Sequence, residues 1–254
     1  MEVPANNSSA TAQRIYYRSL TLALLSMRFT MEFASKSHGV VRSEDVYTYD
    51  RMKQILKTSA FLRETLTLSE ERLLNAELGE WSPETVAMIS WCSEEAGALL
   101  WAVNEIDVFP SIEESFTLEI LNKYFTNLLS VDWIISCSKK KVILRERREI
   151  ETQKKRTELL FQRCILANKI RYRTVQFPTK KYNDIFHFSD AGLPVGPSGD
   201  LIVGTEEFCD FSEMKEQVLV PIATSRIHSL AWALDPSQKW DSFDMDYLYI
   251  LPTM

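Results

Sequence analysis

The stretch Trp91-Cys92-Ser93-Glu94-Glu95-Ala96-Gly97-Ala98-Leu99-Leu100-Trp101-Ala102-Val103 decides the fold. It is apolar almost all round, the pattern of a helix enclosed by other helices rather than lying on a surface. Ser82-Pro83-Glu84 precedes it, with Ser placed to cap, Pro suited to the first helical position and Glu complementing the helix dipole. One helix from Ser82 to about Glu105, at the centre of a bundle, is the expectation.

Working outward, Ile15, Leu22, Leu25, Phe29 and Phe33 recur at helical spacing and predict a long helix from about Thr11 to Ser37. Further helices are expected over Asp45 to Arg63, after a capping Ser69, over Leu118 to Ser136, over Lys140 to Arg171, and over Thr224 to Leu234. The stretch 177–210 differs in kind. It holds four of the seven glycines and three prolines, with Leu201-Ile202-Val203 as a β-like run after Pro197-Ser198-Gly199-Asp200, and reads as a small irregular or β insertion. The fold class is therefore mainly α, a helical bundle around a central apolar helix. Residues 1–11 read as a flexible tail and residues 12–254 as a single α-rich domain.

Composition supports a large core, since 254 residues can bury about three quarters of the surface of the unfolded chain. Cys92, Cys137, Cys164 and Cys209 form no Cys-x-x-Cys pair, so reduced thiols are expected and neither zinc nor a disulfide framework is implied. The polar opening and the absence of a long apolar run predict a cytoplasmic protein without a membrane partner. A formal net charge of −6 disfavours general attraction to nucleic acid. Locally the sign reverses: nine Lys or Arg stand against three Glu between Lys139 and Arg156, which reads as a solvated basic helix face.

Few residues carry chemistry. His38, His187 and His228 occupy no ligand frame, no Gly-x-Ser-x-Gly elbow is present, and the glycines match no phosphate-binding loop, so no metal or cofactor is predicted. The acidic run Trp240-Asp241-Ser242-Phe243-Asp244-Met245-Asp246 lacks the Gly and closing Glu of a calcium loop. Glu94 is the residue singled out. Positions 91, 94, 98 and 101 share one helical face, setting its carboxylate between Trp91 and Trp101, where it needs a cation from Arg18, Arg163 or Arg226 or has its pKa raised.

Trp91, Glu94 and Leu99-Leu100-Trp101-Ala102, followed by Phe109-Pro110, resemble the Trp-Arg-x-Glu helix and following Pro of the bacterial family catalogued as domain of unknown function 4272. Arg226, Leu230, Trp232, Trp240-Asp241 and Asp246 resemble that family's second Trp block and its Trp-Asp ending, while Arg18 to Leu25, Arg163 and Ala167 resemble weaker segments. Cys92, Ser225, Ile227 and Ile165 depart from it where the family carries Arg, Glu and His. The resemblance implies a mostly helical fold and a polar cluster from Glu94, Arg226 and Asp241; with the neighbouring indoles, the candidate polar cluster or pocket is Trp91, Glu94, Trp101, Arg226, Trp232 and Asp241. The resemblance implies no reaction. With no complete catalytic constellation, the leading expectation is a non-catalytic binding or accessory protein for an unidentified protein or small-molecule ligand. The alternative is a hydrolase or transferase using Glu94 as acid or base beside Arg226.

Overall fold

In the computed structural model, which describes residues 5–125, 127–172 and 182–242, the first segment forms α1 (Ala5–His38). It starts six residues ahead of the expected Thr11 and is buried on every side from Arg18 to Ser26. Backbone contacts divide the chain into two compact units, Met1–Val108 with Phe116–Arg145, and Phe109–Ser115 with Glu146–Met254. Each is described in turn. Both are mainly helical, and no helix among the described residues is long and apolar enough to cross a membrane.

The first unit adds α2 (Ser43–Thr58), α3 (Ala60–Arg63), α4 (Leu68–Asn75), α5 (Pro83–Ile89), α6 (Cys92–Ala102), α7 (Leu118–Asn122) and α8 (Val131–Cys137). As expected, the apolar stretch packs against α1 and is almost wholly buried. It is not one helix, however. The Ser90 hydroxyl donates to the Ala87 carbonyl and Trp91 sits at φ −95°, ψ −1°, so α5 ends and Trp91 caps a second helix. Gly97 explains the close packing on α6, because a Cβ there would stand 2.1 Å from the Phe116 ring.

Other boundaries moved for local reasons. Thr67, not Ser69, caps α4: its hydroxyl accepts from Glu70 N–H at 3.2 Å while the Glu70 carboxylate accepts from Thr67 N–H at 2.9 Å. The expected Leu118 to Ser136 helix is two, the second opened by Ser130, whose hydroxyl accepts from Trp133 N–H. Residues 140–146 are irregular rather than helical, since Arg145 bonds to the end of α6 through Ala102 O (2.8 Å) and Trp101 O (2.7 Å). Phe33, expected in the α1 core stripe, is 57% exposed. The inward positions there belong instead to Arg28 and Glu32, both fully buried and paired at 2.6 Å.

In the second unit α9 (Arg147–Arg171) packs along α11 (Glu213–Leu234). The final helix begins eleven residues before the expected Thr224. Pro221 lies inside it, where the ring removes one backbone donor without ending the helix. Between these helices in sequence come α10 (Tyr182–Phe186) and the anticipated hairpin, β1 (Ile202–Val203) and β2 (Glu206–Glu207), antiparallel with Ile202 opposite Glu207. Arg163 ties the hairpin segment to α9 with a buried two-pronged pair to Asp200, at 2.8 and 2.6 Å. Its guanidinium lies 4.0 Å from the Tyr182 ring centre and 4.4 Å from that of Phe208.

Candidate functional site: an apolar pocket on α9

Gln153, Arg156, Thr157 and Leu160 recur at intervals of three and four, so they form one stripe of α9. That stripe is one wall of a pocket of about 330 Å³ within the second unit. The turn Gly192-Leu193-Pro194 and the run Leu201 to Gly204 make the facing walls, and Phe109, Pro110, Ser111, Ile112 and Arg226 complete it. Leu160, Leu201 and Val203 are buried, giving the pocket an apolar base. No acidic residue is among the described lining residues.

Two arginines line this space, and they are held differently. Arg226 is 1% exposed and donates to the carbonyls of Pro110 (3.1 Å), Ser111 (3.2 Å) and Glu114 (2.8 Å), fastening the Phe109–Ser115 loop to α11. Arg156 is half-buried, and its Nε donates to Ala191 O at 2.8 Å. Gly192 makes this placement possible. Its backbone is left-handed at φ +69°, closing the 3-10 turn Ser189–Ala191, and a Cβ would come within 2.7 Å of an Arg156 Nη atom. The Glu113 carboxylate lies against Gly204, another of the lining residues.

The residues singled out in the sequence fall into both units. Trp91, Glu94 and Trp101 belong to the first. Glu94 is 1% exposed and its Oε1 accepts from Phe116 N–H at 2.8 Å. Trp101 carries Arg145 over its indole at 4.6 Å, and Trp91 is half-buried. Arg226, Trp232 and Asp241 belong to the second. Trp232 is buried, with Nε1 donating to Gln238 O at 3.1 Å, and Trp240 stands edge-on to it at 5.2 Å. Asp241 is exposed on the turn Trp240–Ser242, and Asp244 and Asp246 lie outside the described residues.

Two arginines offered as partners for Glu94 have carboxylates that the sequence reading missed. Arg18 is held by Glu70 at 2.5 and 2.7 Å, and Arg163 by Asp200. Burial alone would raise the Glu70 carboxyl, but the Arg18 fork and the Thr67 backbone outweigh it and hold it below the ordinary range. The Cys92 thiol, where the resembled family has Arg, is pushed well up by burial.

Three of the nine cations of the basic run pair with carboxylates. Lys140 pairs with Glu105, Arg147 with Glu151 and Lys154 with Glu158. Arg156 is the member that sequence reading left in the crowd; only the 153, 156, 157, 160 spacing ahead of a Gly-Leu-Pro turn could have marked it. Among the described residues no group of three or more His, Cys, Asp or Glu is placed to hold a metal ion. Comparison with protein-family models, with curated proteins and with solved structures finds no match for the chain.

Proposed function

We propose that the protein is a cytoplasmic, non-catalytic binding or accessory protein whose ligand seat is the α9 pocket. The observation that supports this most is the pocket's make-up: largely apolar walls from five chain segments, with two arginines and no acidic residue among the described lining residues. Small-molecule sites combine an apolar enclosure with a few placed polar groups in this way, and their volumes start at roughly 300 Å³. Free thiols at all four cysteines suit a reducing compartment. The burial of Glu94 and its bond to Phe116 N–H weigh for binding over the acid/base alternative, because a general acid must reach its substrate. Membership in the domain of unknown function 4272 family is proposed with it, on the residues of the Trp91 to Trp101 and Arg226 to Trp232 blocks.

The test is titration of the whole chain with the neutral fluorophore N-phenyl-1-naphthylamine. Saturable enhancement in wild type, lost in Leu193→Trp, which fills the pocket from a half-buried wall, is expected. Equal enhancement in the two proteins would place any binding elsewhere and sink the reading.

A further inference from the structure

We propose that the pocket takes a carboxylate-bearing molecule with an apolar body, and that Arg156 is the residue that holds its carboxylate. This deepens the function proposed above and rests on it.

Arg156 differs from the other inward-turned arginines. Arg18, Arg28 and Arg163 each meet a carboxylate at 2.7 Å or closer, and Arg226 is bound by three carbonyls of one loop. Among the described residues no carboxylate lies within 4.0 Å of Arg156, and its one hydrogen bond, to Ala191 O, engages Nε alone. That bond fixes the plane of the guanidinium and leaves both Nη groups as donors. Gly192 then brings those donors against the backbone at the pocket wall, where any side chain would collide with them.

A planar pair of N–H donors matches the two oxygens of a carboxylate, a fit that a point-charge ammonium does not reproduce. The walls argue for the rest of the ligand. Leu160, Leu193, Pro194, Leu201 and Val203 supply apolar surface for the body of the molecule, beside the neutral polar groups of Ser111, Gln153 and Thr157. That apolar surface strengthens the attraction of Arg156 for an anion.

The experiment is isothermal titration calorimetry of the whole chain with octanoate and with 1-octanol. It uses wild type, Arg156→Gln, Arg156→Lys and Leu193→Trp, with circular dichroism confirming the fold of each. Octanoate is expected to bind wild type at one site and more tightly than octanol. Arg156→Gln should weaken octanoate by about tenfold or more, the worth of one charge-assisted hydrogen-bonded pair, and leave octanol unchanged. Arg156→Lys should retain part of the octanoate preference, and Leu193→Trp should abolish both. Should Arg156→Gln fail to fold, the octanoate-over-octanol preference of wild type decides the question without it. Equal affinities for the two compounds in wild type, or an octanoate affinity untouched by Arg156→Gln, would overturn the carboxylate assignment while leaving the pocket as an apolar seat. Silence from both, together with silence from the neutral fluorophore, would remove the pocket reading as well.

Discussion

In the first unit, Arg18 closes on Glu70 and Arg28 on Glu32, both sealed from solvent, whereas in the second Arg163 closes on Asp200 but Arg156 stands at an open pocket. The sealed pairs fix chain segments to one another. Arg18 and Glu70 join α1 to the capping box of α4, and Arg28 reaches the carbonyls of Ala76 and Glu77 beyond the end of α4. Even the atoms of Arg28 that lack a hydrogen-bond partner, Nε and Nη1, sit beside the Tyr49 and Trp81 rings, whose centres are 4.4 and 5.3 Å from the guanidinium carbon. A guanidinium that is enclosed and matched serves the fold; one that is oriented, left with free donors and backed by apolar walls is available to a ligand. That contrast, rather than any single motif, locates the candidate site.

The contrast predicts a ladder of effects. Removing the partner of a sealed guanidinium should be most damaging: Asp200→Ala strands Arg163 and should lose about 3–5 kcal/mol in urea unfolding. A loss under about 1 kcal/mol would erase the distinction between sealed and available arginines. Glu70→Gln should cost about 3 kcal/mol at neutral pH for the same reason, and its pH dependence gives a second reading. Because the folded-state carboxyl lies below its ordinary 4.5, Glu70 contributes stability fully above that pH and loses it as pH falls through the depressed value. The gap between wild type and Glu70→Gln should therefore narrow only below pH 4.5; a gap that narrowed on raising the pH instead would contradict the pairing.

Gly97→Ala should come next, at about 1–3 kcal/mol, because overpacking against Phe116 outweighs the better helix propensity of alanine. A more stable variant would show that the α1 and α6 core is looser than described. Arg156→Gln should be the mildest, about 1 kcal/mol or less, the worth of its one bond to Ala191 O. A loss near that of Asp200→Ala would place Arg156 with the structural group and withdraw it from ligand binding.

Local chemistry was legible in the sequence to the extent that it is local. Ser82-Pro83 marks the start of α5 correctly, and the Pro197 to Val203 turn and β-like run foreshadow the hairpin. Thr67-x-x-Glu70 is a readable capping box that Ser69 masked. Pro221 concealed the first half of α11, because a proline in an enclosed helix costs a hydrogen bond that packing along α9 can offset. Partner choice was out of reach: Arg163 finds Asp200 37 positions away and Arg18 finds Glu70 52 away, and nothing in a single sequence distinguishes those carboxylates from Glu94. The pocket needs five segments brought together, so Arg156 looked like one cation among nine.

The most direct test of the central claim is a methyl-resolved NMR titration of the whole chain with N-phenyl-1-naphthylamine. Shifts centred on the methyls of Leu160, Leu193, Leu201 and Val203, with those of Leu22, Leu25 and Leu74 in the first unit unmoved, are the predicted result. Shifts centred on the first unit, or none at any concentration that saturates the fluorescence, would contradict it.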